Sequence, residues 1–194
     1  GWEVRLVNLN DGSVEGLARP YADRIAALAA SLGATHVVDV GCGDFRVGRL
    51  LVEAGLRCTG VDVVEPLVAD LHARHGHAAT FVCLDAVEGP LPEGDLYLVR
   101  QVLQHLSNDE GVALLRQLVG RRAVVTESRP LDLAGIRPNV DIEHGPYTRL
   151  PLGSAVVLDE APFSQRCVTV LAEDLTAHER VLTVLLDPVT EPDG

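Results

Sequence analysis

Five short apolar runs mark the first two thirds of the chain, and segments with apolar residues at helical spacing separate most of them. "HVVDV" (36–40) is almost continuously apolar, as a strand buried on both faces must be. "RCTGVDVV" (57–64), "ATFVCLD" (79–85), "DLYLVR" (95–100) and "RRAVVTES" (121–128) read the same way. "PYADRIAALAASLGA" predicts a helix that begins at Pro20 and stops at Gly33, after an irregular stretch over residues 1–20. "RVGRLLVEAGL" and "PLVADLHARHG" predict two more, the second ended by Gly76. "SNDEGVALLRQLVG" opens on Ser107 with Glu110 three residues on, the signature of a reciprocal N-terminal cap.

Strand and helix thus alternate from residue 22 to about 128, which predicts a parallel sheet with helices on both faces. The pattern changes after Pro130. "PLDLAGIRPNVDIEHGPYTRLPLG" holds four prolines and little periodicity, so it reads as one long loop, a length usually kept for function or disorder. "CVTVLAE" and "RVLTVLLD" then read as a hairpin. The expected architecture is a doubly wound, mostly parallel seven-stranded α/β sheet closed by a C-terminal antiparallel hairpin. It forms a single domain over 1–194: an N-terminal cap and helix (1–33), a βα core (34–128), a loop (129–164) and the hairpin (165–187).

Length and composition change this picture little, but they narrow its uses. A chain of 194 residues with 47% hydrophobic content buries a core without staples. The net charge of −12 argues against a nucleic-acid backbone as partner. All 16 basic residues are arginine, so lysine Schiff-base chemistry and a phosphate-binding P-loop lysine are excluded. The four cysteines (Cys42, Cys58, Cys83, Cys167) show neither paired nor metal-ligand spacing, and a reduced, cytoplasmic setting is expected. No segment has the shape of a signal peptide or a membrane span. Position 1 is Gly, as expected of a processed or trimmed start.

The chemistry gathers at strand ends. The first strand runs straight into "GCGDF", where Gly41 and Gly43 can adopt positive φ and let a ligand approach the backbone. Asp62 ends the second strand roughly 20 residues past those glycines, where a carboxylate can accept from ribose hydroxyls. Asp85 ends the third, placed to meet an adenine amino group. Each glycine alone could serve a plain turn and each aspartate a helix cap; three acids on successive strand ends outline a nucleoside site. A dinucleotide is a poor fit, because Arg46 stands where the fingerprint wants its last glycine and Asp44 occupies the approach of a pyrophosphate. Asp39, just ahead of the glycines, favours a cationic ligand. S-adenosyl-L-methionine supplies an adenosine, a sulfonium and an ammonium.

"VVDVGCGDF", "TGVDVV", "CLDAVEGPLPEGDLYLVRQVLQHLS" and the closing hairpin resemble the successive motifs of class I S-adenosylmethionine-dependent methyltransferases, over roughly residues 22–187. "CGDF", "GVDVV", "VRQVLQHLS", "DIEHGPYTRLPL" and "APF" further resemble a bacterial subgroup of such proteins. The resemblance implies that Asp39, Gly41 and Gly43, with Cys42 between them, hold the methionine moiety. It likewise implies that Asp62 with Val63 holds the ribose, Asp85 with Ala86 the adenine, and that Arg100 and Gln101 face the sulfonium. Phe45 replaces the third glycine of the family's turn and is expected to narrow the methionine end.

Methyl transfer needs a positioned nucleophile and a place for its proton. Gln101 and His105 follow the fourth strand, and His105 is the convenient base, unless it is structural ahead of the Ser107 cap. Glu127 and Arg129 end the fifth strand and could meet a polar substrate or pair with each other. The long loop brings Asp141, His144, Tyr147 and Arg149, read as a substrate-side wall or lid, or else as a solvated surface loop. His144 joins His105, Gln101 and Glu127 among the catalytic candidates; Arg129, Asp141, Tyr147 and Arg149 are substrate candidates. His72, His75 and His77 are expected to face solvent, with no metal. Trp2 and Tyr21 could close over the cofactor, Tyr21 by a cation–π contact, or could pack in the core. The expectation is an enzyme that methylates a small polar molecule. Two alternatives stay open: non-methylating chemistry on the same cofactor, and a non-catalytic nucleoside-binding subunit.

Overall fold

The computed structural model describes residues 12–131, 135–174 and 179–188, with side chains of the first helix from Ala18 onward. Trp2 lies outside the described residues. The predicted strands form β1 (His36–Val40), β2 (Arg57–Asp62), β3 (Thr80–Cys83), β4 (Leu96–Arg100) and β5 (Ala123–Pro130). Two residue pairs further on, Arg137–Pro138 and Ser154–Ala155, form the short strands β6 and β7; β8 (Cys167–Asp174) and β9 (Glu179–Leu186) make the hairpin. The main sheet has seven strands in the order β3-β2-β1-β4-β5-β9-β8. Its first five are parallel, and β9 runs antiparallel to both β5 and β8. The chain therefore reverses direction across the sheet between β1 and β4, and in such sheets ligands settle at that point beyond the strands' carboxyl ends.

Helices α1 (Gly12–Leu32), α2 (Arg46–Glu53) and α3 (Glu65–His75) pack on one face. There Ile25, Leu51 and Leu71 meet Val37, Leu96, Leu98 and Val124. On the other face, α4 (Asn108–Gln117) shares the cover with the long loop. Leu114 and Leu115 of α4 and Val156, Leu158 and Phe163 of the loop meet Val38, Val40, Val99 and Val125. Helices occupy both faces, as the sequence predicts.

The first helix departs from the expectation. It begins at Gly12, so residues 12–19, read as loop, are helical and Pro20 lies inside. Proline lacks an N–H, so the Gly16 carbonyl loses its ordinary partner and the helix continues past that one gap. Arg19 meets Asp23 at 3.7 Å and Glu53 of α2 at 3.3 Å, exposed contacts that orient the two helices more than they stabilise them. Gly33 stops the helix at φ 68°, as predicted.

The loop after Pro130 is far more ordered than its proline content suggests. Asn139, at φ 52°, donates its side-chain amide to the carbonyls of Val157 (2.8 Å), Glu160 (3.3 Å) and Ala161 (2.9 Å) and accepts from the Val157 N–H (2.8 Å). One side chain thus ties the two halves of the loop together, and apolar burial holds the second half on the sheet. Residues 141–148 of the loop stay exposed or half-buried, while Asn139 and Arg149 on either side of them are buried.

Candidate active site

A cavity of about 250 Å³ opens beyond the carboxyl ends of β1, β2 and β4. One wall is formed by Gly41, Asp62, Val63, Asp85 and Ala86, the other by Gln101, Val102, His105 and His144. Apolar side chains (Val40, Val61, Leu84, Val87, Leu106 and Leu114) complete it, several of which no sequence pattern marked as more than core.

The acidic wall is fixed by backbone geometry. Gly41 and Gly43 sit at φ 71° and 51°. A Cβ at Gly41 would lie 2.4 Å from the Val102 Cγ2, so this glycine makes room for the opposite wall as well as for the turn. A Cβ at Gly43 would meet nothing within 4 Å. The Asp62 carboxylate accepts from the Gly43 N–H (3.1 Å) and the Val64 N–H (3.1 Å), which locks the acid to the turn. Asp85 accepts from the Val87 N–H at 2.8 Å.

Asp39 is buried against the α1–α3 face, near Arg100. Burial lifts its carboxyl from 3.8 to about 6; Arg100 pulls it down, while Asp62 and Asp44 push it up. The Arg100 guanidinium lies 5.4 Å from the centre of the Tyr21 ring, and its buried Nε has no hydrogen-bond partner among the described residues. Tyr21 itself is a core residue: its hydroxyl accepts from Thr126 (3.2 Å), and burial raises it to about 12. Its cation partner is therefore Arg100, in place of the sulfonium contact considered from the sequence.

Cys42 and Phe45 do not line the cavity. The Cys42 side chain turns into the core beneath Gly60, and burial pushes its thiol up. Phe45 takes φ 60°, a left-handed conformation that favours glycine. Its ring is buried edge-on to Phe81 (centroids 4.7 Å apart), and a Cβ at Gly48 would lie 2.0 Å from it. Phe45 thus fills the core and does not narrow the methionine end.

The opposite wall hangs from β5 and the loop. Gln101 is held at φ 56°, with its side-chain amide donating to the Ser128 hydroxyl at 3.2 Å. Such a conformation persists only where neighbours fix it. Glu127 does so: one oxygen accepts from the Val102 N–H (3.1 Å) and the Leu103 N–H (2.8 Å). Its other oxygen is buried without a partner among the described residues. Burial raises Glu127 to about 8, against the pull of the Leu103, Gln104 and Val102 amides and of Arg149. Glu127 stands behind the wall, and with Arg129 it borders a separate cavity of about 30 Å³, so neither reaches the larger one.

Arg149 was expected at the substrate and is instead 1% exposed. Its guanidinium donates to the carbonyls of Val140 (3.0 Å), Leu103 (2.9 Å) and Leu106 (2.8 Å) and to the Asn108 side chain (3.0 Å). It fastens the loop to the 3-10 turn Leu103–His105. Asp141 also has a fastening role, accepting from the Asn108 N–H at 2.7 Å. Tyr147 is 80% exposed and stands outside the cavity lining. His105 lines the cavity half-buried, its Nδ1 without a hydrogen-bond partner among the described residues; burial lowers its pKa, the backbone of Tyr147 and Gly145 opposes that, and His144 and Arg149 add to it. His144 pairs through Nδ1 with Glu110 at 2.9 Å. His75 packs near Phe45, and among the described residues no three His, Cys, Asp or Glu side chains could hold a metal ion.

Residues 37–121, which carry the acidic wall and the start of the other, match the family model of a methyltransferase domain. Over those residues the chain is similar to that family. Its fold agrees with solved methyltransferases. Magnesium protoporphyrin IX methyltransferase from Synechocystis PCC 6803, solved with S-adenosylmethionine bound, is 18% identical with a TM-score of 0.58, covering 93% of this chain and 85% of that one. The 1,6-didemethyltoxoflavin-N1-methyltransferase of Burkholderia thailandensis, solved with 1,6-didemethyltoxoflavin and S-adenosylhomocysteine, is 24% identical with a TM-score of 0.53, over 91% of this chain and 81% of that one. Human N-acetylserotonin methyltransferase is 18% identical (TM-score 0.55), over 88% of this chain and 53% of that one. Comparison with curated protein sequences gave no match. Among the described residues, no helix is long and apolar enough to cross a membrane.

Proposed function

We propose that this chain is a methyltransferase that takes its methyl group from S-adenosylmethionine and delivers it to a small polar acceptor. One observation carries the reading: Asp62 and Asp85 border a single cavity beside the Gly41–Gly43 turn, with Asp39 buried next to that turn. In this reading Asp62 accepts from the ribose hydroxyls and Asp85 with Ala86 meets the adenine, while Val63 covers the sugar. Asp39 and Arg100, opposite charges that form no direct ion pair, bracket the amino-acid end, with Asp39 toward an ammonium and Arg100 toward a carboxylate. Gln101 faces the sulfonium from the strained turn that Glu127 holds. His105 and His144 bound the acceptor side. S-adenosylmethionine, when bound, supplies a methyl carbon already activated by its sulfonium; the chain orients the acceptor against it and excludes water.

The net charge of −12 disfavours nucleic acid. All four cysteines are free thiols, which supports a reduced, cytoplasmic setting. Calorimetry with S-adenosylhomocysteine tests the reading. Binding is expected in the parent, and Asp62→Ala should weaken it by about one to two orders of magnitude through loss of buried, charge-assisted hydrogen bonds. Absence of heat in the parent, or equal affinity in Asp62→Ala, overturns it.

A further inference from the structure

The Ser107 cap of α4 does more than begin a helix. Glu110 uses one oxygen, Oε2, to accept from the Ser107 N–H and hydroxyl, both at 2.8 Å, as a capping box requires. Its other oxygen reaches out of the box to the His144 Nδ1 at 2.9 Å, bridging 34 residues of sequence. Burial pushes Glu110 up, but Ser107 and His144 outweigh it and hold the carboxyl below its ordinary range. An ionised carboxylate on Nδ1 fixes the neutral imidazole with its proton on that nitrogen. That leaves Nε2 as the basic nitrogen of a ring that borders the cavity. The ring cannot drift away: Gly145 donates its N–H to the His105 carbonyl at 3.0 Å, and Arg149 and Asp141 pin the flanking loop to the start of α4. His105 lies close enough to sense the His144 charge.

We infer that His144 is the proton acceptor of the methyl transfer, that Glu110 is its positioning residue, and that the acceptor is therefore a molecule that gives up a proton when methylated: an alcohol, a phenol or an N–H heterocycle. This rests on the cofactor reading above. As the acceptor's lone pair forms a bond to the methyl carbon, the carbon–sulfur bond breaks and its electrons stay on sulfur, leaving S-adenosylhomocysteine. The acceptor's proton passes to the His144 Nε2, and Glu110 balances the imidazolium. A carboxylate or a tertiary amine would need no such group.

Two measurements test this. Nitrogen-resolved NMR of the imidazole at a pH where His144 is neutral should find the proton on Nδ1. Glu110→Gln retains the cap, which accepts glutamine at that position, and should shift the proton toward Nε2. Ser107→Ala weakens the cap and should leave the tautomer unchanged. A neutral His144 with its proton on Nε2 in the parent, or a tautomer indifferent to Glu110→Gln, overturns the pairing. The second measurement follows methyl transfer from S-adenosylmethionine to a set of phenols, sugar alcohols and N–H heterocycles, with carboxylates and tertiary amines alongside. Transfer should be confined to the protic members, and His144→Ala should lower kcat by about 10²–10⁴-fold, the usual worth of a general base, with unchanged affinity for S-adenosylhomocysteine. Transfer only to the non-protic members, to none, or at the parent rate in His144→Ala overturns the proposal. Failure of S-adenosylhomocysteine to bind the parent would overturn the cofactor reading, while the tautomer measurement would still judge the pairing.

Discussion

The two walls of the cavity are built in different ways. The acidic wall comes from strand ends and a two-glycine turn, and its key contact, Asp62 to the Gly43 amide, joins consecutive βα units. The histidine wall is assembled from distant pieces: Arg149 holds the turn at Leu103–Leu106, Glu127 holds the same turn from behind, and Glu110 meets His144 from another element. The first wall depends on backbone conformation that neighbouring residues dictate. The second depends on buried polar side chains, each of which leaves several partners stranded if removed. The acidic wall should therefore tolerate change in the loop, and the histidine wall should not.

The largest expected effect is that of Arg149→Ala. It strands three carbonyls and should cost about 3 kcal/mol or more, a fall in Tm of roughly 6–12 °C for a chain of this size. At temperatures where the variant stays folded, affinity for S-adenosylhomocysteine should stay within about threefold of the parent. A parallel collapse of binding would mean that the two walls are not independent.

Gly41→Ala comes next. It meets both a positive φ and the Val102 side chain, so a loss of about 2 kcal/mol is expected. Gly43→Ala has the strain without the clash, about 1 kcal/mol. Its methyl group points into open space beside the turn, so denaturant unfolding should register the smaller loss and calorimetry the larger drop in cofactor affinity. The reverse ranking would move the ligand off this turn.

Glu127 sharpens the comparison through pH. Its folded value, about 8, lies above its ordinary 4.5, and that of Asp39, about 6, above 3.8. A raised acid contributes stability that is fully present below its ordinary value and lost as pH climbs through the folded one. Tm should therefore fall between pH 5 and pH 8 on account of these two groups. Asp95 and Glu110, whose values are lowered, lose their contribution only at more acidic pH. Glu127→Gln, which still accepts from Val102 and Leu103, should flatten the slope and raise Tm at pH 8; a slope like the parent's would show that Glu127 folds ionised. The smallest effect is expected of Tyr147→Ala, within about 0.5 kcal/mol in thermal unfolding, because the ring is almost wholly exposed.

The fold and the acidic wall were legible in the sequence because their information is local. Strand runs, the Gly41–Gly43 turn, the Ser107–Glu110 box and acids at strand tips all lie within a few residues of what they organise. Where local reading failed, a distant partner decided. Residues 12–19 were expected to be loop, yet they extend α1 through Pro20. Phe45 looked like an obstruction at the methionine end, but Gly48 and Phe81 give its ring a place in the core. Arg149 looked like a substrate ligand because a charged residue on a loop usually meets solvent; four acceptors drawn from three segments make it a structural rivet.

By itself, the chain of apolar runs and punctuating glycines determined the order of strands and helices and the side of the sheet where a ligand belongs, since periodicity and backbone conformation act over short distances. Which polar residues reach that ligand, and which are spent holding the wall upright, was decided only by tertiary structure. A buried polar group must find its partner wherever in the sequence that partner lies.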